Sequence, residues 1–268
     1  ITADAENSTG YYSGAGGSVY IQAKTLAGAG SVTANGGAVV NTHGGGGGRI
    51  AVVLSDSDFS SFTGSLRANH RKTPGACGAG GTVYMEAGAD GAGRGTLVVD
   101  GMKTEDATAL TATSRTTYTG WTAEDAAFKP RKIVFRDRAV LGAPAGIVCD
   151  LAETELDTTT YSDYAHTIRL HGGTIVFKDG EAIGCNLNSY AAGGVLRAGL
   201  SGGGVLRLAD GCTFTSDFAT TLQGSLELLS GAVITHTANG SSKVYGIDLT
   251  VSGAVTNRAG GSISAKGR

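Results

Sequence analysis

The chain has 268 residues, of which 45 are glycine, 3 are proline and 41% are hydrophobic. This glycine content is more than twice the usual share of about 7%, the scarcity of proline excludes a collagen-like chain, and the hydrophobic content excludes a disordered linker. The net charge is −2 and charges of opposite sign are not strongly segregated along the chain, so we expect no nucleic-acid partner. No apolar run approaches the roughly 18 residues that a membrane span requires.

A repeated phrase near the start of the chain predicts short strands separated by tight turns. The segment 14–23 recurs at 78–87 with seven identities, and a related copy occupies 47–54, almost midway. Aligned on Gly16, Gly47 and Gly80, the copies are separated by 31 and 33 (47 − 16 and 80 − 47). Glycines precede each copy and apolar residues alternate within it, which is typical of a strand entered through a glycine corner.

The second half of the chain carries its own consensus, a glycine-bounded segment with two apolar positions. It recurs at 173–180, 204–211 and 224–231, and imperfectly at 253–260. In the second copy Leu206 and Leu208 flank Arg207, so the two leucines share one face and the arginine takes the other. This period of two predicts strands.

Short strands that recur at these spacings predict an all-β chain folded as a parallel β-helix, a solenoid in which each coil buries its apolar side against the next. A β-sandwich is the alternative, because strands punctuated by glycine also fit it. We predict three regions: glycine-rich solenoid repeats over 1–101, an irregular insertion over 102–165 packed on the solenoid, and further solenoid repeats over 166–268.

The predicted insertion holds aromatic residues that are candidates for ligand binding. Trp121 is the single tryptophan of the chain, and Tyr118, Tyr161 and Tyr164 accompany it. A flat ring with a polar tip can stack on a sugar, and insertions in repeat proteins often lie on the binding face. We therefore predict that these four side chains contact a ligand, with a polysaccharide as the partner.

Several phrases of the chain resemble the glycine-rich repeats of very large bacterial secreted and cell-surface proteins, which are adhesin-like. The phrases that carry this resemblance are 16–21, 31–37, 44–52, 232–236, 247–251 and 261–265. The resemblance covers about 14–101 and 170–268. It implies a β-solenoid that is secreted or displayed on the cell surface as a matrix or adhesive component, in association with itself or with neighbouring repeats of a larger chain. It implies no catalytic residue.

Two further motifs favour structural interpretations over chemical ones. Asp56 and Asp58 have the spacing of some calcium loops, but the calcium-binding nonapeptide of other β-rolls is absent. A solvated turn is therefore favoured there, and we expect no metal and no cofactor. The glycine run 44–48 precedes a strand rather than a helix, which excludes a phosphate-binding loop. We predict an exposed flexible loop in its place, or a surface that packs against another chain.

The segment 164–171 has the densest set of groups able to transfer protons. Arg169 and His171 lie two apart in a predicted strand and therefore share one face. Together with Tyr164 they would supply the cation and the base with which a polysaccharide lyase neutralises a uronate and removes its C5 proton.

The four cysteines are widely spaced and form no Cys-x-x-Cys motif, so a zinc ribbon or a redox motif is not expected. Cys185 and Cys212 are the better candidates for a disulfide. The alternative is that the cysteines are buried as small hydrophobic residues.

These observations favour a non-catalytic structural or adhesive module of an exported bacterial surface or extracellular-matrix protein, one that assembles into a filament. The first alternative is an enzyme, a polysaccharide lyase or glycoside hydrolase built on a β-helix. The second alternative is a carbohydrate-binding module.

Overall fold

Short strands make up the regular structure of the chain. The computed structural model describes residues 1–39, 43–70, 78–101, 118–160 and 166–265. Over these residues it contains no α-helix, and its one helical element is a short 3₁₀ turn at Glu124–Ala127. None of the described residues belongs to a helix that is long and apolar enough to cross a membrane.

The strands of the first half, in chain order, are β1 (Ser18–Ala23), β2 (Ser31–Thr33), β3 (Arg49–Leu54), β4 (Ser65–Arg67), β5 (Gly81–Glu86), β6 (Thr96–Asp100), β7 (Thr119–Gly120) and β8 (Lys132–Arg136). The remaining strands are β9 (Val140–Pro144), β10 (Val148–Leu151), β11 (Glu155–Asp157), β12 (Thr167–His171), β13 (Thr174–Phe177), β14 (Ala182–Ile183), β15 (Asn186–Ala191), β16 (Gly194–Ala198), β17 (Val205–Leu208), β18 (Thr213–Ser216), β19 (Thr220–Gln223), β20 (Ser225–Leu228), β21 (Val233–Thr235), β22 (Leu249–Val251), β23 (Val255–Asn257) and β24 (Ser262–Ile263).

The chain divides into two compact units. Unit 1 comprises Ile1–Thr119, Pro130–Val140 and Thr160–His166, and unit 2 comprises the rest. In unit 1, β1, β3 and β5 pair in parallel, β6 turns back as the antiparallel neighbour of β5, and β8 pairs in parallel with β6. The strand register aligns a column of β-branched residues, Val19, Ile50, Val83, Val98 and Val134. This column forms the centre of the unit's core.

The glycine run 44–48 is a packed part of unit 1, which corrects the prediction of a flexible loop. The backbone N–H of Gly45 donates to the carbonyl of Gly37, that of Gly47 to Ala79, and that of Gly48 to Ala34. Extended glycine segments from successive repeats can bond to each other in this way because no side chain separates their backbones. The alternative prediction, a surface for packing against another chain, stays a prediction, because these bonds lie within one chain.

From β12 to β24 the chain of unit 2 passes repeatedly through three sheets in the same order. One sheet contains β9, β12, β15, β18, β21 and β24, the second β10, β13, β16, β19 and β22, and the third β14, β17, β20 and β23. All strand pairs from β12 onward within these sheets are parallel. In the first sheet the register aligns an inward column of Ile168, Leu187, Phe214, Ile234 and Ile263.

The structure is therefore all-β with mostly parallel sheets, as predicted. This pairing is consistent with the predicted β-helix, whereas a sandwich packs antiparallel sheets face to face. One part of the predicted irregular insertion is regular: β8, β9, β10 and β11 lie within 132–157. The sequence did not predict strand β8, because the basic residues Lys132 and Arg136 stand at its ends. Between them lie three buried apolar residues. Residues 102–117 and 161–165 of that insertion lie outside the described part of the chain.

Candidate functional site

Four aromatic residues of unit 2, one at each successive turn between the first and second sheets, form a group that we call the aromatic corner. They are His171 at the end of β12, Tyr190 near the end of β15, Phe218 after β18 and Tyr245 before β22. Tyr190 and Phe218 are 42% and 38% exposed, and the other two are partly buried. The repeated passage of the chain through this corner brings together residues that are far apart in sequence.

Ring contacts join the four members of the aromatic corner into two pairs. The ring centroids of His171 and Tyr190 are 4.6 Å apart, and Phe218 and Tyr245 meet edge to face at 6.4 Å. The guanidinium of Arg169 lies 5.0 Å from the Tyr190 centroid, which is a cation–π distance. Burial and, to a smaller extent, the charge of Arg169 lower the pKa of His171 below its ordinary value.

Buried serines and positive-φ glycines set the shape of this corner. Gly172 and Gly193 both have a φ of 82° where the chain turns out of β12 and β15, a conformation that favours glycine. The hydroxyl of Ser189 accepts the N–H of Phe218 at 3.0 Å. The hydroxyl of Ser216 donates to the carbonyl of Asp248 at 3.1 Å. Each bond joins one pass of the chain through the sheets to the next, and together they stabilise the backbone that carries the aromatic residues.

The last turn of the corner is a long loop, 236–248, whereas the earlier turns are much shorter. Asp217 accepts the N–H and the hydroxyl of Thr237, both at 2.6 Å, and this ties the loop to the preceding coil. Asn239 closes the loop on itself: its amide donates to the carbonyl of Tyr245 at 2.9 Å, and its oxygen accepts the N–H groups of Val244 and Tyr245 at 2.7 Å. The loop is thereby held in one conformation.

This loop encloses a surface pocket of about 580 Å³. The pocket is lined by His236, Asn239, Gly240, Ser241, Ser242, Lys243, Tyr245, Gly246, Ile247 and Ala265. The lining combines hydroxyl and amide groups with a phenol ring, an imidazole ring and one ammonium group, and the described lining residues include no carboxylate. Such a surface can hold a polar ligand by hydrogen bonds while a ring covers its apolar face.

Comparison of the chain with protein-family models, with curated proteins and with solved structures finds no match.

The aromatic residues predicted to bind a ligand occupy other places. Trp121 is only 3% exposed and packs on Phe128 with ring centroids 5.9 Å apart. This corrects the prediction for Trp121, because a ring with so much apolar area gains more from burial in the core than from exposure. Tyr118 is partly buried in unit 1, and Tyr161 and Tyr164 lie outside the described residues.

Arg169 and His171 lie on the same face of β12, as their spacing predicted. Arg169 is 5% exposed, however, and Tyr190 covers its guanidinium. A lyase needs its cation in contact with the uronate of the substrate, and this cover keeps the Arg169 charge away from a bound sugar. The third predicted member of that site, Tyr164, lies outside the described residues.

Asp56 and Asp58 serve the turn that contains them. The hydroxyl of Ser55 donates to Asp56, and both the N–H and the hydroxyl of Ser60 donate to Asp58. These bonds from Ser60 lower the pKa of the Asp58 carboxyl. Among the described residues no three potential ligands are grouped as a metal site would require.

Cys185 and Cys212 are free thiols in the structure, which corrects the predicted disulfide. They occupy equivalent positions just before β15 and β18, and burial raises the pKa of both. The Cys212 thiol donates to the carbonyl of Ile183 at 3.1 Å and so points at the backbone. Cys149 is likewise free and buried, and Cys77 lies outside the described residues.

The sequence reasoning missed Tyr190, Phe218 and Tyr245. A signal was present in their spacing, because they follow one another at offsets of 28 and 27 (218 − 190 and 245 − 218). The first offset is close to the 27 between the paired residues Leu187 and Phe214 (214 − 187), and the second to the 29 between Thr220 and Leu249 (249 − 220). An aromatic residue that recurs at the period of the coil predicts an aromatic column on one corner.

Proposed function

We propose that the chain is a non-catalytic structural or adhesive module, a β-solenoid from an exported bacterial surface or extracellular-matrix protein. The observation that carries this proposal is the in-register parallel stacking of unit 2, where each pass from β12 to β23 adds one strand to each of the three sheets. Stacking of this kind makes a rigid rod from repeats that could not bury their apolar sides alone.

Charged side chains reinforce the stacking instead of forming an exposed reactive group. On the third sheet the Arg207 Nε donates to one oxygen of Glu227 at 2.7 Å, and the Arg258 Nε donates to the other at 2.6 Å. The hydrogen bonds from Arg207 and Arg258 lower the pKa of Glu227. Because the three residues belong to successive coils, this ladder ties coil to coil, which is the use of charge expected in a structural rod.

Immunogold electron microscopy of intact source cells tests the proposed location. Antibodies raised against the chain are expected to label the outer cell surface or extracellular fibres without permeabilisation. Antibodies against a cytoplasmic protein of the same cells serve as the control and should label only opened cells. Labelling by the chain's antibodies that appears only after permeabilisation would contradict an exported role.

The last described coil of unit 2 supports self-assembly. Strands β22, β23 and β24 each lie at the edge of their sheet, so one side of each strand presents backbone groups that no described strand pairs. The side chains of Val255 and Ile263, which continue the inward columns of the core, are 49% and 54% exposed there. An open edge of this kind recruits another strand, and we propose that a coil of a second copy covers it.

Sedimentation velocity over a range of concentrations tests this assembly. The unmodified chain is expected to form higher oligomers as its concentration rises, and the double variant Val255→Lys/Ile263→Lys to remain a monomer. The matched control is Val148→Lys, because Val148 is 47% exposed but faces outward from β10, and it should assemble normally. A monomer at every concentration of the unmodified chain would refute assembly through this end.

A further inference from the structure

We propose that unit 2 binds an acidic oligosaccharide along the aromatic corner, with a sugar carboxylate in the pocket beside Lys243. The inference rests on the adhesive part of the proposed function and deepens it by naming the ligand class and the residues that recognise it. It assigns the ligand to residues other than the aromatic residues of the insertion that the sequence indicated.

The aromatic corner offers faces for sugar rings. Tyr190 and Phe218 are partly exposed on adjacent coils, and Tyr245 joins the row through its contact with Phe218. Neighbouring strands are about 4.8 Å apart, so the row runs across the coils and supports an extended chain rather than a single sugar. Tyrosine adds a hydroxyl to the edge of the stacked face.

The pocket continues this row with polar groups. Ser241 and Ser242 contribute hydroxyls to its wall, and His236 contributes a ring whose Nδ1 lies 2.7 Å from the Thr237 carbonyl. When Nδ1 carries the proton for that contact, Nε2 is left as an acceptor for a sugar hydroxyl. A pyranose presents many hydroxyls at its rim and an apolar face, which matches polar walls beside the ring of Tyr245.

Charge selects an acidic sugar over a neutral or basic one. Lys243 is the one described lining residue with a permanent charge, and it is exposed to solvent. The carboxylate that anchors the loop, Asp217, accepts two hydrogen bonds from Thr237 and is not one of the lining residues. The ammonium group therefore attracts a ligand carboxylate with no competing acid among the described residues of the wall.

The site is formed before any ligand arrives. The three bonds of Asn239 fix the loop, and the hydroxyl of Ser189 fixes the backbone of Phe218. A ligand that binds to a fixed surface avoids the entropy cost of ordering a loop. The same bonds commit the side chain of Asn239 to the loop, although the sequence Asn239-Gly240-Ser241 matches a glycosylation motif.

Isothermal titration calorimetry with two oligosaccharides of equal length, one of galacturonic acid and one of glucose, tests this proposal. We expect saturable binding of the galacturonic acid oligosaccharide and much weaker binding of the neutral one. Tyr245→Ala and Lys243→Glu should each weaken acidic binding about tenfold or more. The control is Tyr20→Ala, because Tyr20 is 67% exposed in unit 1 and its loss should leave the affinity unchanged.

Three results would overturn the proposal. They are the absence of saturable binding by either oligosaccharide, equal weakening by Tyr20→Ala and Tyr245→Ala, and equal affinity for the two oligosaccharides with no effect of Lys243→Glu. Lys243 is exposed on its loop, so its variant tests the site even where Tyr245→Ala disturbs the loop. Titrations in the Val255→Lys/Ile263→Lys background are made on the monomer, so the failure of assembly and the failure of binding are separate results.

Discussion

Replacement of Asp100 by alanine is expected to lower the free energy of unfolding by about 3–5 kcal/mol. Asp100 ends strand β6 in unit 1, and its side chain has no exposed surface. One carboxylate oxygen accepts the Arg67 Nε at 3.1 Å and the backbone N–H of Ala68 at 2.7 Å. The same oxygen lies 3.5 Å from the Arg136 Nη1. Loss of this group leaves two guanidinium groups facing each other without their shared counter-ion.

The size of this effect follows from burial. Burial raises the pKa of the Asp100 carboxyl, while the charges of Arg136 and Arg67 oppose that rise. Burying a carboxylate costs free energy, and the charges of the two arginines offset that cost. When the carboxylate is removed, the arginines lose the partner that offsets the cost of burying their own charges. Asp137 retains one contact with Arg67, so part of the network survives in the variant.

Chemical denaturation of the Asp100→Ala variant gives the measurement, with Asp56→Ala as the matched control. Asp56 is also an aspartate in an ion pair, 3.9 Å from Lys24, but its side chain is 52% exposed. Exposed pairs contribute about 0–1 kcal/mol, so the control should unfold almost as the unmodified chain does. Equal stability of the two variants would show that the Asp100 network does not hold the strands of unit 1 together.

The repeats made the strand architecture predictable from sequence. Residues at equal positions of successive repeats, such as Leu206 and Leu226, lie side by side in paired parallel strands. The sequence period is the length of one coil, so the register of the sheet follows from the spacing of the glycines and the alternation of apolar residues. No knowledge of distant contacts is needed for that step.

The candidate site could not be predicted in the same way, because the sequence indicates ligand-binding residues only through the composition of the segment in which they lie. Trp121 lies in a segment that breaks the repeat pattern, and this position predicts contact with a ligand. In the structure Trp121 is buried and packs on Phe128. Tyr190 and Phe218 lie in ordinary repeats, and only the stacking of coils sets them side by side. The ion pair of Arg67 and Asp100 could not be predicted for the same reason. The two residues are distant in sequence, and only the folded structure shows which strand the arginine side chain reaches.

The second large effect concerns the glycine run of unit 1. Gly45→Ala is expected to lower the free energy of unfolding by about 3 kcal/mol or more, because a Cβ at this position would overlap the backbone carbonyl of Gly14. The obstacle is backbone, so no side chain can rotate away to make room. Gly45 is itself buried, and its N–H is bonded to Gly37. The methyl group can be accommodated only by separating two extended segments.

Gly30→Ala is the matched control, since a Cβ at Gly30 would meet no atom within 4 Å. Thermal and urea unfolding of the two variants test the packed arrangement, because they show whether alanine raises or lowers the free energy of unfolding. In a flexible loop alanine stabilises by about 0.4–1 kcal/mol, because it restricts the unfolded chain more than glycine does. A stabilising Gly45→Ala would therefore restore the flexible-loop interpretation of 44–48. A large loss of unfolding free energy in Gly45→Ala, with no loss in Gly30→Ala, would show that glycine at this position allows two backbone segments to pack against each other.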